Sequence, residues 1–362
     1  MNYRRMPIEI ESPEQLGYSS IAFNLAESSV TDMLWDDLAP DLSGLVLQYG
    51  DHLGNPKLRA LLAQDANLLP EQVILTVGAA SALFMLHTVL LRAGDECIVT
   101  FPNYGTNLET PLAIGCAMKY LELRFESGWR LDLAQLEALI TPRTKLISLT
   151  TPHNPTGTVL SQAELERVIE LATGVGAHVL VDETYREMSF LPSLPVAASL
   201  APHVISVSSV SKTYGLPGIR LGWVMTQDQA LLEQLLAAKE QIFIGGSVLD
   251  EEVAFQALAR RSLLLPPIKA HIATNFAAVQ DFMRSQTKLE WVEPSGGVVC
   301  LPRLKVDVPH FYQALQAHGT YVGRGGWFGL PDRYFRLGYG WTSLETLRGG
   351  LAAIEAALSV AQ

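Results

Sequence analysis

The chain has 362 residues, of which 48% are hydrophobic and 17% are charged. This length exceeds the size at which a single hydrophobic core keeps growing, so we expect one large and one smaller domain. The balance of 26 basic against 37 acidic residues gives a net charge of −11, without any lysine- or arginine-rich block. This charge argues against nucleic acid or an anionic membrane as a partner.

The cysteines and the N-terminus indicate a cytoplasmic protein. Cys97, Cys116 and Cys300 lie far apart without a C-x-x-C spacing, so the sequence predicts neither a disulfide framework nor a metal site. Residues 1–14 mix charges and lack the apolar stretch of a signal peptide. The most apolar helical stretch, Ala82 to Leu91, is too short to span a bilayer.

From about residue 73, short apolar segments alternate with helical patterns. Several of these segments are apolar without alternation, as strands that are covered on both faces are. One helix between them begins at the capping box Ser161-x-x-Glu164 and ends at Gly174. The alternation predicts an α/β fold, in which a mostly parallel central sheet is flanked by helices. The predicted strands are Val73–Val77, Glu96–Phe101, Met118–Leu123, Lys145–Thr150, His178–Glu183, Val204–Val210 and Gly222–Thr226.

The pair Pro266-Pro267 predicts a break in the chain. Beyond it, a long amphipathic helix, glycine-punctuated strands and a final helix indicate a smaller α+β domain. We expect the N-terminal segment to pack on that domain or on a partner subunit. The predicted division is an N-terminal arm with part of the small domain (1–40), a large domain (41–265) and a small C-terminal domain (266–362).

The segment 209–222 is the most informative part of the chain. Lys212 lies at its centre and can form a Schiff base. Asp182 stands at the carboxyl end of an apolar predicted strand, where α/β sheets place ligands. A Schiff-base lysine with an acidic partner for a pyridinium nitrogen is what pyridoxal phosphate (PLP) chemistry requires, so we predict this cofactor. The other polar groups of the segment that suit a phosphate are Ser209, Ser211 and Arg220.

A second phosphate-binding element follows the strand Val73–Val77. Gly78, Ala79 and Ala80 are small residues at the start of a predicted helix, which leaves backbone N–H groups free for an anion. Taken alone, the stretch also matches an ordinary β-α turn. Together with the hydroxyls and the arginine of segment 209–222, it predicts the site of the cofactor's phosphate.

Further residues suit the cofactor ring and the substrate. Tyr104 follows a predicted strand and is placed to stack on the ring, although packing alone is the alternative. Asn154 and Tyr185 follow two neighbouring strands and can reach the ring's phenolic oxygen. The fork of Arg336 suits an amino acid's carboxylate, with a structural salt bridge as the alternative, and Asn154 is assigned to the substrate as well. The residues assigned to catalysis are Lys212, Asp182 and Tyr104.

In their order along the chain, these pieces resemble the class I and II aminotransferases of PLP fold type I, from about residue 24 to residue 358. The resemblance implies transfer of an amino group from an L-amino acid to a 2-oxo acid. In that family the tyrosine that matches Tyr49 reaches the phosphate of the neighbouring subunit's cofactor, which implies a homodimer with shared active sites. The matching residues are Tyr49 with Gly54 and Leu58-Arg59, Gly78, Tyr104, Asn154-Pro155, Asp182 with Tyr185, Lys212, Arg220, Gly296-Gly297 and Arg336.

The sequence departs from the family's pattern in three segments. Asn24 to Ser29 stands where a Gly-Glu-Pro-like segment is frequent, and Val298 and Val299 follow the glycine pair where an aromatic residue is common. The segment 241–247 contains no arginine, which disfavours a dicarboxylic substrate held from there. All three departures concern the choice of substrate rather than the binding of the cofactor.

Other functions share parts of this pattern. The same cofactor supports decarboxylation, elimination or ring closure, and the segment 212–218 also resembles that of enzymes that cyclise modified arginine. Glu27 would then contact a cationic substrate tail, or it is simply a helix cap. An aminotransferase-like transcription regulator needs a basic DNA-binding head, and about two dozen residues before the resemblance are too few for one. His153 either lines the site or completes a turn, and the amino donor and acceptor stay open.

Overall fold

The computed structural model describes residues Met1–Ala361. Most of its secondary structure consists of helices and of short strands. The helices are α1 (Pro7–Ile10), α2 (Pro13–Leu16), α3 (Trp35–Leu38), α4 (Pro56–Ala66), α5 (Gly78–Leu90), α6 (Gly105–Ile114), α7 (Leu133–Leu139), α8 (Gln162–Thr173), α9 (Gln229–Ile242), α10 (Val248–Ala259), α11 (Arg261–Ser285), α12 (Val308–Ala317) and α13 (Leu344–Val360). The strands are β1 (Phe23–Asn24), β2 (Val73–Thr76), β3 (Glu96–Phe101), β4 (Ala117–Glu122), β5 (Thr144–Thr150), β6 (His178–Asp182), β7 (Val204–Ser209), β8 (Gly222–Thr226), β9 (Leu289–Glu290), β10 (Val299–Cys300), β11 (Arg303–Leu304), β12 (Thr320–Tyr321), β13 (Gly323–Arg324) and β14 (Phe335–Gly338).

A seven-stranded sheet in the order β2-β8-β7-β6-β5-β3-β4 forms the centre of the molecule. Its strands are parallel except for β8, which runs antiparallel to both β2 and β7. The predicted α/β fold is therefore confirmed. All seven predicted strands belong to this sheet, and their bounds agree with the observed ones to within one residue at each end.

Helices cover both faces of the sheet. Leu146 of β5 packs in a cluster with Leu83 of α5, whereas its neighbour Ile147 packs with Leu165 of α8. Successive residues of a strand point to opposite faces, so these two contacts show that both faces are buried. Burial on both sides explains why the strands are apolar without alternation. None of the helices among residues 1–361 combines the length and the apolar character needed to cross a membrane.

A separate hydrophobic cluster joins α11, α12 and α13 to the short strands that follow the sheet in the sequence. Phe311, Phe335 and Ile354 are fully buried in it. Leu25 belongs to the same cluster, and β1 pairs with β12, so this part of the N-terminal segment packs there. The division into a large and a small domain stays a prediction, which the separate clusters of buried side chains support.

The predicted break at Pro266-Pro267 is wrong. Helix α11 is continuous across both prolines, so position 265 lies within a helix. Each proline removes one backbone N–H from the hydrogen bonds of the helix. Val279 and Met283, on the buried face of α11, pack into the cluster of short strands and helices, and this tertiary packing sustains the helix despite the prolines.

Two glycines of α13 let the N-terminal segment approach that helix. A Cβ atom on Gly350 would lie 2.6 Å from Cδ1 of Leu25, and one on Gly349 would collide with the ring of Phe23. Glycine in a helix costs about 1 kcal/mol relative to alanine. The close packing of residues 23–25 against α13 therefore accounts for two glycines in an otherwise well-formed helix.

Candidate active site

A cavity of about 360 Å³ opens where three parallel strands end. Its wall includes Thr150, Asp182 and Ser209, which are the last residues of β5, β6 and β7. The carboxyl edge of a parallel sheet is where α/β proteins bind their ligands, since the loops of neighbouring strands diverge there. Both the sheet and the cluster of short strands contribute to the cavity, because Arg336 of β14 also lines it.

Lys212 lies in the loop after β7, with its side chain in the cavity wall. The backbone carbonyl of Lys212 accepts a hydrogen bond from the amide of Val30 at 3.1 Å, which ties this loop to the N-terminal segment. Burial lowers the pKa of Lys212, Glu27 opposes this effect and Arg336 adds to it. A lowered pKa makes a lysine a better base at neutral pH.

Asp182 is buried at the end of β6. Its Oδ1 accepts hydrogen bonds from the amide of Thr184 at 3.1 Å and from the hydroxyl of Thr184 at 2.6 Å. Burial raises the pKa of Asp182, and hydrogen bonds from Thr184 and Asn107 oppose the rise. A cationic ring nitrogen beside this carboxylate would restore its charged form, because an opposite charge favours ionisation.

The start of α5 forms a concave surface rich in N–H groups. Val77 at the N-cap provides no side-chain cap, so the first amides of the helix are free. A Cβ atom on Gly78 would lie 2.5 Å from Nη2 of Arg220, and one on Gly222 would lie 2.5 Å from the carbonyl carbon of Gly78. Only glycines allow this approach of strand, helix and guanidinium. A phosphate group fits such a helix start with an arginine beside it.

Arg336 is buried, with 4% of its surface exposed, and it points into the cavity. Its Nη1 donates to Oδ1 of Asn154 at 3.1 Å, and its Nη2 donates to the carbonyl of Ala26 at 2.6 Å. Within residues 1–361, its Nε has no hydrogen-bond partner. All the partners are neutral, which does not match the structural salt bridge considered above. A buried cation of this kind is costly unless a ligand carboxylate pairs with it.

The two predicted tyrosines keep their protons. The hydroxyl of Tyr104 donates to Glu9 at 3.3 Å, and the hydroxyl of Tyr185 donates to the carbonyl of Ser28 at 2.9 Å. Burial raises the pKa of both phenols to about 12. Both side chains line the cavity and are neutral hydrogen-bond donors at neutral pH.

The structure brings almost all of the predicted site residues together. Those that line the cavity are Ala79, Ala80, Tyr104, Asn154, Asp182, Tyr185, Ser209, Ser211, Lys212, Arg220 and Arg336. Gly78 adjoins it through its contact with Arg220. Tyr49 does not line the cavity, and 82% of its surface is exposed. Nor does His153, whose Nδ1 lies 2.8 Å from the hydroxyl of Thr156, as expected for the turn that we considered.

Sequence reasoning missed the N-terminal side of the site. Glu9, Ser12 and Glu14 line the cavity, from two four-residue helices and the turn between them, which carry no motif. Trp327 also lines it. A proline at the start of each short helix is the only local signal, and it predicts a helix rather than a site. No group of three or more His, Cys, Asp or Glu side chains within the described chain is arranged to hold a metal ion.

Glu27, whose role we had left open, is half-buried in the cavity wall. A Cβ atom on Gly338 would collide with the carbonyl oxygen of Glu27, so this glycine lets the N-terminal loop cross β14. The side chain of Glu27 accepts a hydrogen bond from the side-chain amide of Asn24 at 3.4 Å. The helix-cap alternative is excluded because Glu27 does not precede a helix in the structure.

Comparisons with known proteins agree with this geometry. Residues 35–354 match the family of class I and II aminotransferases. Capreomycidine synthase of Streptomyces vinaceus is 32% identical over 321 residues, which cover 87% of this chain and 82% of that protein. A PLP-dependent aminotransferase from Streptococcus suis 89-1591 is 30% identical with a TM-score of 0.92, over 100% of this chain and 99% of that one. The PLP-dependent cyclase OrfR is 26% identical with a TM-score of 0.89, over 99% of this chain and 98% of that one.

The chain belongs to the class I and II aminotransferase family and has the fold of PLP fold type I. Its cofactor is pyridoxal phosphate, so the predicted family and cofactor are both confirmed. The names of its relatives cover amino-group transfer as well as cyclisation.

Proposed function

We propose that this protein is a PLP-dependent enzyme that transfers the amino group of an L-amino acid to a 2-oxo acid. The observation that carries the proposal is that Lys212, Asp182 and the buried Arg336 all line one cavity. Lys212 would hold the cofactor's aldehyde, and Arg336 would bind the substrate's carboxylate.

The remaining predicted residues would hold the cofactor. Asp182 would keep the ring nitrogen protonated, Tyr104 would stack on the ring, and Asn154 and Tyr185 would lie near its phenolic oxygen. The phosphate would bind at the start of α5, where the groups available to it are the amides of Gly78, Ala79 and Ala80, the hydroxyls of Ser209 and Ser211, and the guanidinium of Arg220. When bound, the cofactor supplies a sink for the electrons that are released at the substrate's α-carbon.

Lys212 and Arg336 would then have separate roles toward the substrate. Arg336, fixed by Asn154 and Ala26, would orient the α-carboxylate and thereby direct the Cα–H bond. The amine of Lys212, once free, would act as the general base that takes the α-proton. The lowered pKa of Lys212 supports this role, because it increases the fraction of neutral amine at neutral pH.

We further propose a cytoplasmic homodimer. The exposed position of Tyr49, outside its own cavity, supports a role at the neighbouring subunit's phosphate. Val46, Leu47 and Ile242 are also exposed apolar side chains, as an uncovered subunit interface would be. The three free cysteines are compatible with a reducing compartment.

A second candidate function is ring closure on a modified arginine, without an amino acceptor. Two observations favour it: Glu27 lies in the cavity wall, and capreomycidine synthase matches over 87% of the chain. Both candidates begin with the removal of the same α-proton, so the residues named above would serve either reaction.

Product analysis separates the two candidates. Purified holoenzyme should show a visible cofactor band that a good amino-acid substrate bleaches. Transamination should convert the donor into a 2-oxo acid and should need an acceptor for turnover, whereas cyclisation should proceed without an acceptor. The Lys212→Ala variant should lose both the lysine-bound cofactor band and turnover, with exposed Lys57→Ala as the matched control. Full turnover by Lys212→Ala would refute the proposal.

A further inference from the structure

The proposed function leaves three charged groups of the cavity without an oppositely charged partner. The cofactor and an amino acid's carboxylate account for four charged side chains, which are Lys212, Asp182, Arg220 and Arg336. The other charged residues that line the cavity are all acidic: Glu9, Glu14 and Glu27. Three carboxylates in a partly enclosed space repel one another unless a cation binds between them.

The two protein cations near this wall are already assigned. Burial raises the pKa of Glu27 and both Lys212 and Arg336 lower it, but under the proposed function one holds the cofactor and the other the substrate's carboxylate. Within residues 1–361, none of the three carboxylates forms a salt bridge. The hydrogen bonds of Glu9 and Glu27 come from neutral groups, the hydroxyl of Tyr104 at 3.3 Å and the side-chain amide of Asn24 at 3.4 Å. Their remaining acceptor capacity is available to a ligand in the cavity.

A buried hydroxyl in the same wall points independently to a ligand. Ser12 is only 6% exposed, lines the cavity and has no hydrogen-bond partner for its Oγ among the described residues. It stands at the N-cap position of α2, where a serine usually caps its helix, yet its side chain makes no capping bond. A buried polar atom without a partner is rare in a folded protein, so a missing donor is expected there.

The segment that carries Glu9, Ser12 and Glu14 is fastened at both ends of the cavity. Arg4 binds Glu109 of α6 through two hydrogen bonds of 2.8 Å. Glu11 accepts a hydrogen bond from the indole of Trp327 at 2.7 Å. The segment is therefore held between α6 and the turn after β13, with its polar groups in the cavity wall.

We propose that Glu9, Ser12, Glu14 and Glu27 form a subsite for the cationic side chain of the amino-acid substrate. This inference rests on the proposed function, since Arg336 must hold the α-carboxylate for the side chain to reach the acidic wall. A guanidinium offers five N–H donors in a fixed plane and an ammonium offers three, so both classes supply donors for Ser12 and the carboxylates.

Equilibrium binding to the holoenzyme tests the subsite without requiring turnover. Spectral titration of the cofactor band gives dissociation constants for L-arginine, L-lysine and their neutral counterparts, L-citrulline and L-norleucine. We expect each cationic amino acid to bind at least about tenfold more tightly than its neutral counterpart, because hydrogen bonds to charged groups carry that much energy. Comparison of the dissociation constants of L-arginine and L-lysine shows whether the subsite prefers a guanidinium or an ammonium group.

Two variants test the acidic wall, and a third is their control. Glu27→Gln and Glu14→Gln should weaken arginine or lysine binding by about tenfold and leave citrulline within about twofold. Glu14 is exposed, so its substitution leaves the core intact. The control is Glu233→Gln, because Glu233 is an exposed glutamate of α9 outside the cavity, and it should change nothing. Thermal shift of the cofactor-free protein by each ligand gives a second readout.

The outcomes separate the subsite from the proposed function. Equal binding of cationic and neutral amino acids to a holoenzyme whose band still bleaches would overturn the subsite and leave the proposed function standing. Equal weakening of arginine and citrulline by Glu27→Gln would overturn it as well. Failure of the protein to form a cofactor band before any amino acid is added would refute the proposed function, and the subsite with it.

Discussion

Arg336 donates a hydrogen bond to the side chain of Asn154, although 182 positions separate them in the chain. The arginine belongs to β14 in the cluster of short strands, and the asparagine belongs to the loop after β5 of the large sheet. This contact joins the two parts of the molecule at the place where the substrate's carboxylate would bind. The guanidinium is thereby oriented before any ligand arrives, which reduces the cost of ordering it.

Arg336→Lys should raise the KM for amino acids by about 100-fold while the cofactor band remains. An ammonium keeps the charge but loses the planar fork, so it cannot bind Asn154, Ala26 and a carboxylate together. Steady-state kinetics with a saturating acceptor measures the change. Arg324→Lys, at an exposed arginine outside the cavity, is the control. An unchanged KM in Arg336→Lys would place the carboxylate elsewhere.

The pH dependence of kcat should follow the amine of Lys212, which becomes free only once the substrate has bound. A general base works when it is deprotonated, so kcat at saturating substrate should rise with pH and level off above the pKa of this lysine. Burial lowers that pKa, so the rise should be centred below the ordinary lysine value of 10.5. Initial rates across the pH range test this, with substrate amine ionisation measured separately. A rise centred at or above 10.5 would contradict the burial of the base.

His87→Leu should stabilise the protein more at pH 5 than at pH 8. Burial lowers the pKa of His87 to about 3, against 6.5 when unfolded, and neither ring nitrogen has a hydrogen-bond partner among the described residues. Between these two values the unfolded state binds more protons, so wild-type stability falls as the pH drops below 6.5. At pH 5 the buried neutral His87 lowers the free energy of unfolding by about 2 kcal/mol, and leucine removes this penalty. Denaturant unfolding at both pH values measures the difference, which should be absent for exposed His318→Leu.

Gly350→Ala should destabilise the protein by about 1–3 kcal/mol, even though alanine is the better helix former. The new methyl group would lie 2.6 Å from Cδ1 of Leu25, so the N-terminal segment would have to move. Chemical denaturation measures the effect. At Gly245, where a Cβ would meet no atom within 4 Å, the same substitution should be nearly neutral. Stabilisation by Gly350→Ala would show that β1 does not need this close approach.

The sheet and the cofactor side of the cavity could be predicted because their signals are local. Asp182 and Ser209 end apolar strands, and the ends of parallel strands meet at one edge, so their proximity follows from the topology. The role of Lys212 could be predicted from the hydroxyls and the arginine that lie beside it in segment 209–222. Burial on both faces makes such strands visible as apolar runs, and this explains the agreement of their bounds.

The substrate side could not be predicted from local signals. Glu9, Ser12 and Glu14 reach the cavity through long-range contacts, such as that of Glu11 with Trp327, which no spacing in the sequence reveals. The helix across Pro266-Pro267 was missed for the same reason, since tertiary packing outweighs the local preference of proline. The role of Tyr49 stays a prediction.

The pairing of Phe23 with Thr320 has a consequence for biosynthesis. A ribosome releases β1 long before its partner strand exists, so residues 23–24 stay unpaired until residue 320 has emerged. Ala26, which holds Arg336 across 310 positions, waits equally long. The carboxylate-binding pocket can therefore be completed only after Arg336 has been synthesised, and a nascent chain that ends before this residue would be unable to recognise an amino acid.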